Sequence, residues 1–393
     1  MRITNVLDKN IDNAEYIKHR INLPRKIVEE TKLLDKEITA SGREMKKIKV
    51  LYATTLITPF IKKHIETLKK SRRLDISVCT MDGLFEKYGG IIPAISSLKG
   101  KIKFFVATIS FLIKIAYFGM KNNVIIANWS YTSFLAVISR NIHHAKIVTI
   151  ERSPDLVSLK VGLLHNLILF AYKKSDSLVT ISKYARDKIR ANYGDLNVEV
   201  VYNGVDIQRY HAKKRNKIFN LLYVGRLVKI KNVEALLNIM PDLNCCSNNF
   251  FLNIVGDGNL YDELRRKASY YDNVRFWGRV KHKDVFNLMK KCDAFVYPSN
   301  DDTGANVLLE AMSCGIPIIT KNVGYASDLL VNGVNALICK DERDFLRSIV
   351  NLYNSDIDAE KLRRNAYETV KNITWLNNRK RYEQIIKEVC NES

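Results

Sequence analysis

The sequence lacks paired cysteines, an apolar segment at its start and any familiar nucleic-acid-binding motif. Its seven cysteines are scattered and include no CxxC spacing, which argues against a zinc site or a secreted disulfide framework. The first residues form no signal-peptide core, so we expect a protein of the reducing cytoplasm. No helix-turn-helix, RNP, zinc-finger or GXXG-loop pattern is present, so we expect no nucleic-acid partner.

Acidic residues are also scarce relative to basic ones. The 393 residues include 63 Lys and Arg against 41 Asp and Glu, a net charge of +22 at pH 7. Residues 46–200 alone carry 25 basic and 10 acidic side chains, a net charge of +15. Hydrophobic residues make up 47% of the chain, which is ordinary for a globular protein of two domains. The charge predicts an anionic partner, either phosphate-bearing molecules or a lipid surface.

Apolar runs that alternate with amphipathic helical patterns predict an α/β protein with parallel sheets. The pattern runs once along residues 48–202 and restarts near residue 220, which predicts two Rossmann-like doubly wound domains that face each other across a cleft. The predicted strands are 48–53, 75–80, 124–127, 146–150, 177–181 and 198–202, then 220–224, 250–255, 274–277, 294–297, 318–320 and 336–338. Predicted helices include 59–70, 131–140, 183–193, 231–240, 260–268 and 283–290.

A glycine and two cations follow the first strand of the second domain. Gly225 permits a close turn, and Arg226 and Lys231 precede or open the predicted helix 231–240. Cations in front of a helix N-terminus suit a diphosphate, so this segment is a candidate anion site. The alternative is that both cations are solvated on the surface.

A second cluster lies between the strand 294–297 and the segment Gly315-Ile316-Pro317. Asp302 is placed in a loop, and Glu310 about two turns into the helix that follows. Backbone N–H groups of residues 303–306 would add anion-binding donors at the helix N-terminus. Two carboxylates beside such donors suit a sugar nucleotide. The alternative is an N-cap aspartate and an unrelated exposed glutamate.

These clusters, together with residues 201–206, 254–258, 274–280 and Thr374-Trp375, follow one another in the order and at the spacing of a known family. The sequence resembles the GT-B glycosyltransferases of family 4, which retain anomeric configuration and use nucleotide-sugar donors. The resemblance runs from about residue 46 to the end. It implies an N-terminal extension (1–44, helical or disordered), an acceptor domain (45–202), a donor domain (203–372) and a C-terminal helix (373–393) that returns to the acceptor domain.

The resemblance also implies roles for individual residues. Arg226 and Lys231 would hold the donor diphosphate, Glu310 the ribose, and Asp302 the donor sugar. Further implied donor-binding positions are Gly225, Gly256, Gly258, Val280, Thr303, Gly304, Ala305 and Asn306. The leaving diphosphate would itself accept the acceptor's proton, so no metal or cofactor is expected.

The sequence departs from the family pattern at three places. Asp302 stands where a glutamate is usual and reaches about one methylene less far. Thr54 and Thr55 replace a Gly-Gly loop, and Glu151-Arg152 occupies the place of a His-Gly pair. Thr54, Thr55, Glu151 and Arg152 are candidates for the acceptor side.

Two apolar segments, 104–120 and 161–174, predict how the acceptor domain meets its substrate. Lys99, Lys101, Lys103 and Lys121 flank the first segment, which falls short of the roughly 20 apolar residues of a membrane span. Such segments suit peripheral docking to an anionic leaflet on the cytoplasmic face and a lipid-linked acceptor. The alternative is that both are core helices.

The predicted function is transfer of a hexose from a UDP- or GDP-sugar to a lipid-linked or glycan acceptor in cell-surface polysaccharide or glycoconjugate biosynthesis. One alternative is a sugar-nucleotide epimerase on the same fold. The other is a catalytically weak relative that binds nucleotide sugars.

Overall fold

The computed structural model describes residues 47–81, 98–210 and 217–391, with the backbone alone for residues 98–100. The extension predicted for residues 1–44 lies outside the described residues. Contacts divide the described chain into a first unit, residues 47–204 and 375–391, and a second unit, residues 205–374.

The first unit is built on a parallel six-stranded sheet with the order β2-β1-β3-β4-β5-β6. Its strands are β1 (Ile48–Thr54), β2 (Leu74–Thr80), β3 (Val124–Asn128), β4 (Lys146–Glu151), β5 (Ser177–Thr180) and β6 (Val198–Val200). Its helices are α1 (Pro59–Lys69), α2 (Leu98–Gly119), α3 (Ser130–Ile138), α4 (Arg140–His143), α5 (Pro154–Val157), α6 (Leu163–Lys174), α7 (Lys183–Tyr193) and, from the end of the chain, α16 (Trp375–Asn391).

Alternate residues of β1 point to opposite faces of this sheet, as the period of a strand requires. On one face Val50 and Tyr52 join a core cluster with residues of α1 and α16, among them the buried Tyr382. On the other face Leu51 and Ala53 join a cluster with residues of α2 and α3. The sheet is therefore covered by helices on both sides, which explains why its strands are almost continuously apolar.

The second unit contains another parallel six-stranded sheet, with the order β12-β11-β10-β7-β8-β9. Its strands are β7 (Phe219–Val224), β8 (Phe250–Val255), β9 (Val274–Gly278), β10 (Ala294–Tyr297), β11 (Ile318–Thr320) and β12 (Leu337–Ile338). Its helices are α8 (Glu234–Asn238), α9 (Met240–Cys246), α10 (Tyr261–Ala268), α11 (His282–Lys291), α12 (Asn306–Cys314), α13 (Tyr325–Leu329), α14 (Glu342–Asn354) and α15 (Ala359–Val370).

The predicted fold class is confirmed, and each predicted strand is present with ends shifted by no more than a few residues. The helix predicted for 231–240 is wrong. Residues Lys229–Lys231 form a single 3-10 turn, Asn232 then adopts a left-handed conformation with φ of 50°, and α8 begins only at Glu234. Pro241 lies in the first turn of α9 and forces a further break, because proline has no N–H for a continuing helix.

Helix α2 is longer than the sequence suggested. It spans 22 residues and includes all of the apolar segment 104–120 except its last residue. Among the described residues, the stretch Lys101–Gly119 is long and apolar enough to cross a membrane by length and composition, and 22% of it is buried within the protein.

Candidate active site

The candidate site of the second unit lies where the strand order of its sheet reverses. β7 and β10 are neighbours, and the chain departs from them in opposite directions, to β8 and to β11. Loops that leave the carboxyl ends of two such strands diverge and open a crevice. Gly225 and Arg226 follow β7 directly, and Asp302 lies in the loop that follows β10. The two clusters found in the sequence are therefore brought to one place.

Lys231 and Asp302 form an ion pair at this point, between the Lys231 Nζ and Asp302 Oδ2. Both residues are buried, at 7% and 9% exposure. The Tyr297 hydroxyl donates to the same Oδ2 at 2.8 Å, and the Gly304 N–H donates to Oδ1 at 3.2 Å. A buried carboxylate with three partners is held in a fixed position. The Lys231 ammonium also lies 5.5 Å from the centre of the Tyr297 ring.

Two stacked tyrosines lie next to the Lys231–Asp302 pair. The sequence analysis did not identify either of them. The rings of Tyr223 on β7 and Tyr297 on β10 lie 6.1 Å apart and nearly parallel. Burial, and then the carboxylate of Asp302, raise the pKa of each phenol above its ordinary value of 10. Both therefore remain hydrogen-bond donors, and the Tyr223 hydroxyl donates to the Arg226 carbonyl at 3.0 Å. The available signal was a tyrosine near the end of each of two otherwise apolar strands.

Arg226 differs from Lys231 because its side chain is exposed. Its guanidinium makes no hydrogen bond or ion pair with another described residue. The Tyr223 hydroxyl holds the backbone carbonyl of Arg226, so the exposed cation starts from a fixed point of the backbone, directly after β7. Such a cation is available to an anionic ligand with little loss of existing contacts.

Glu310 is positioned by helix α12 and has a partner that the sequence reasoning did not identify. Its Oε1 accepts a hydrogen bond from the His282 Nε2 at 2.8 Å. The Glu310 side chain is 16% exposed and that of His282 62% exposed. Glu310 is the fifth residue of α12, so it lies about one turn into the helix, and the predicted two turns were wrong. The signal for His282 was its place at the start of α11, two residues after Val280.

The loop before α12 also differs from the simplest expectation. Its last residue is Ala305, whose side chain has no oxygen to cap the helix, so Asp302 is not the N-cap. Asp302 instead accepts from the Gly304 N–H within the loop, which removes that N–H from the donors predicted over 303–306. Thr303 and Ala305 are buried, whereas Gly304 and Asn306 are half-buried.

Gly256 and Gly258 allow the loops after β7 and β8 to touch. A Cβ on Gly256, which has φ of +138°, would lie 1.8 Å from the Gly225 carbonyl oxygen. A Cβ on Gly258 would lie 2.3 Å from the Leu227 carbonyl oxygen. The Leu227 N–H donates to the Asp257 carbonyl at 2.9 Å, which joins the two loops directly. Any side chain at either glycine would separate the two loops.

Val280, another predicted donor-binding position, is half-buried and follows the end of β9.

In the first unit, Glu151 is fully buried and its carboxylate is fully engaged. Oε2 accepts from the Ser130 N–H at 3.1 Å and the Tyr172 hydroxyl at 2.9 Å. Oε1 accepts from the N–H groups of Arg152 at 2.8 Å and Ser153 at 2.7 Å. The carboxylate thus binds the first N–H of α3 and two N–H groups just before α5. These contacts favour a structural role over the predicted contact with an acceptor.

The other three acceptor-side candidates lie at the same end of the first sheet. Thr54 and Thr55, at the end of β1, are both buried, and Thr54 is bonded to the Leu56 carbonyl and to Asn128. Arg152 is half-buried. Its guanidinium donates to Asn203 at 3.1 Å, lies 3.2 Å from the His64 Nδ1, and stacks 5.0 Å from the centre of the Phe60 ring.

Sequence comparison places both units in known families. Residues 70–209 match the family described as Glycosyltransferase Family 4, and residues 206–369 match Glycosyl transferases group 1. The two matches overlap at residues 206–209, and together they cover residues 70–369, which include every strand of the two sheets except β1. The chain belongs to the family 4 glycosyltransferases.

Individual relatives agree with this membership. An uncharacterised glycosyltransferase of Methanocaldococcus jannaschii is 27% identical over 63% of this chain and 69% of its own. A GDP-mannose-dependent monoacylated alpha-(1-6)-phosphatidylinositol monomannoside mannosyltransferase of Corynebacterium glutamicum is 27% identical over 44% of this chain and 52% of its own. The Anabaena protein HepE, solved in complex with UDP, has a TM-score of 0.69 at 16% identity, over 87% of this chain and 100% of its own, which shows the shared fold.

The protein is therefore a GT-B glycosyltransferase, and the epimerase alternative is disfavoured because the matched relatives are named as transferases. At position 302 it has an aspartate where the family resemblance predicts a glutamate. Because Asp302 already reaches Lys231, Tyr297 and Gly304, its shorter side chain is accommodated within the loop. The roles of the individual site residues stay predictions.

Proposed function

We propose that this glycosyltransferase moves a hexose from a UDP- or GDP-sugar to a lipid-linked or glycan acceptor, with retention of the anomeric configuration, in cell-surface polysaccharide or glycoconjugate biosynthesis. The observation that carries the donor side is the buried Lys231–Asp302 pair, next to the exposed Arg226, at the switch point of the second sheet. One cation is fixed and the other is available, which suits two adjacent phosphates.

In the proposed mechanism the donor diphosphate replaces part of the contact between Lys231 and Asp302. The Lys231 ammonium and the Arg226 guanidinium neutralise charge on the diphosphate as the bond between it and the sugar C1 breaks. The acceptor oxygen bonds to C1 on the same face, and its proton passes to the departing diphosphate oxygen. Cations already held in place stabilise this charge without reorganisation at the moment of reaction. The proposal requires no bound metal ion.

Glu310 would then hold the ribose hydroxyls. Its carboxylate is anchored by a helix on one side and by a largely exposed histidine on the other. Oε1 is engaged by His282, so a ribose would share that oxygen or bind Oε2. Both UDP and GDP are candidate nucleotides, since HepE was solved in complex with UDP and the corynebacterial relative is GDP-mannose-dependent.

The acceptor class is proposed from the first unit and from the relatives. The corynebacterial mannosyltransferase is named for a phosphatidylinositol-based acceptor. In this chain the first unit carries most of the net positive charge, as expected of a domain that meets a phosphate-bearing lipid.

A thermal-shift screen with UDP-, GDP-, ADP- and TDP-sugars tests the donor assignment. A bound donor raises the melting temperature by mass action, so one nucleotide should stand out. The selected donor is then incubated with a lipid extract, and NMR of the product reports the anomeric configuration. No shift with any nucleotide sugar, or a product of inverted configuration, would contradict the proposal. Activity that survives EDTA would support the metal-independent mechanism.

A further inference from the structure

One helical layer of the first unit presents apolar side chains to the outside. Helices α2 and α3 pack on the same face of the sheet, and α6 lies beside α3, with the rings of Phe134 and Phe170 6.5 Å apart. We call α2, α3, α4 and α6 the outer layer. Exposed large apolar residues are concentrated on it, whereas in the described part of the second unit those found are Ile218, Tyr270 and Trp277.

Helix α2 is apolar on both of its faces. The buried face contributes Phe111 and Ile115, which are 1% and 0% exposed, to the core of the unit. The opposite face carries a stripe at helical spacing whose members are 41–61% exposed: Ile102, Val106, Ile109, Ile113 and Tyr117. Because the buried face is part of the core, the helix cannot leave it to span a membrane. Within the described part of the chain its outward stripe is nevertheless an exposed apolar surface, which marks an interaction site.

The charge around this surface is predominantly positive, although Asp176, just after α6, pairs with Arg140 of α4. Residues 87–150 contain no Asp or Glu. Over residues 98–175, eleven Lys and Arg face two acidic residues, Glu151 and Asp155, and the carboxylate of Glu151 is buried in its own hydrogen bonds. Lys101, Lys103 and Lys121 are exposed beside the stripe.

This charge distinguishes between possible occupants. A second copy of the chain, seated face to face, would bring lysines against lysines without a single intervening acidic side chain on the outer layer. An anionic lipid leaflet offers an apolar interior beneath a sheet of phosphates, which matches both the stripe and its basic border. Long lysine side chains extend naturally from an apolar surface to such headgroups.

We propose that the outer layer docks into the headgroup region of an anionic membrane leaflet, with α2 lying in the plane of the membrane and its stripe inserted. This surface is separate from the donor chemistry, so it stands or falls independently of the proposed function. It also differs from a transmembrane anchor, because binding depends on lipid charge and is reversed by salt.

Co-sedimentation of the full chain with lipid vesicles tests the proposal. We expect strong binding to vesicles of phosphatidylcholine mixed with phosphatidylglycerol, weak binding to phosphatidylcholine alone, and release by salt. The double variant Val106→Glu, Ile113→Glu should lower the partition coefficient at least about tenfold, because each side chain loses the burial of an aliphatic group. Tyr270→Glu is the matched control, since Tyr270 is 86% exposed in the second unit, and should bind as the unmodified protein does.

A second pair of changes separates charge from insertion. Lys101→Glu with Lys103→Glu should weaken binding to the anionic vesicles more than about tenfold and leave binding to neutral vesicles unchanged. Melting curves by circular dichroism confirm that each variant is folded, as expected because the altered side chains are exposed. Equal binding to both kinds of vesicle, or protein that resists both salt and alkaline carbonate, would overturn the proposal. So would a dimer in light scattering that Val106→Glu dissociates, since the occupant would then be a second copy.

Discussion

The two units use the same end of the same kind of sheet in opposite ways. In the first unit the chain's own carboxylate, Glu151, accepts the first N–H of α3, that of Ser130, just after β3. In the second unit the residue before α12 is Ala305, which cannot fill the helix N-terminus, and Asp302 is held aside by Lys231. A parallel sheet creates an anion site wherever a helix follows a strand, and local side chains decide whether that site is kept for a ligand.

The surfaces of the two units differ as well. The first unit has a basic, apolar outer layer, whereas the second unit has few exposed large apolar residues among those described and an exposed cation, Arg226, directly after β7. Our two proposals together assign donor chemistry to the second unit and surface attachment to the first. The following experiments test this division of roles.

Lys231→Ala should have the largest effect. We expect kcat/KM with the selected donor to fall about a thousandfold, because a preorganised cation is lost beside the leaving group. Lys229→Ala is the matched control, since Lys229 is exposed in the same 3-10 turn, and should retain activity. The single change also leaves Asp302 buried without its partner, at a cost of about 3–5 kcal/mol of stability.

The double variant Lys231→Met, Asp302→Asn separates these two effects. It removes the buried ion pair as a whole, so it should regain stability and stay inactive. Wild-type activity in this variant would remove both residues from the reaction.

Glu151→Gln should have the next largest effect, on stability. The new amide N–H groups would face donors that now bond the carboxylate, which we expect to lower the free energy of unfolding by about 3 kcal/mol. Chemical denaturation measures this, and the exposed Glu66→Gln should change it by less than about 0.5 kcal/mol. A stable Glu151→Gln protein that has lost only acceptor turnover would instead restore Glu151 to the acceptor site.

Arg226→Ala should weaken binding of the nucleoside diphosphate about 30-fold, the value of roughly one charged hydrogen-bonding contact. Stability should be unchanged because the side chain is exposed. Isothermal titration with UDP or GDP measures the affinity, and the exposed Arg265→Ala on α10 is the control. An unaltered affinity in the Arg226 variant would break the diphosphate assignment.

The smallest effect concerns acid. Burial, and then the Arg152 guanidinium, hold the pKa of His64 well below its usual 6.5. Below about pH 6.5 the unfolded chain therefore binds a proton at His64 that the folded chain does not bind. The free energy of unfolding consequently falls by about 1.4 kcal/mol per pH unit as the pH drops. His143, whose pKa is also lowered by burial, adds a contribution of the same sign.

Denaturation between about pH 6.5 and 5.5 should show this slope reduced in His64→Gln. The slope should be unchanged in His144→Gln, which alters an exposed histidine. Identical slopes in both variants would show that His64 does not carry the acid sensitivity of the first unit.

The sequence predicted most of the fold because buried parallel strands are short apolar runs that stand out from helical patterns. Its local motifs singled out Arg226, Lys231, Asp302 and Glu310 as candidate site residues, whose roles stay predictions. It did not show that Lys231 and Asp302 bond to each other, because they are 71 residues apart and meet only when β7 pairs with β10. The hydrogen bonds of Glu151 could not be predicted for the same reason, since its partners Ser130 and Tyr172 lie on two separate helices.

Local conformation caused the remaining error. The apolar spacing of residues 231–240 is helical, yet the left-handed Asn232 and the proline at 241 divide the segment. Hydrophobic periodicity indicates which residues face the core. It does not indicate where a residue adopts the left-handed conformation that ends a helix.

Hydrogen–deuterium exchange of the full chain, with and without saturating UDP or GDP, tests the division between the two units most directly. We expect nucleotide to slow exchange in residues 225–231 and 302–310 of the second unit and to leave the ends of β1, β3 and β4 unchanged. Protection at residues 53–55, 128–130 and 151–153, with none at 225–231, would place the donor in the first unit and contradict the account.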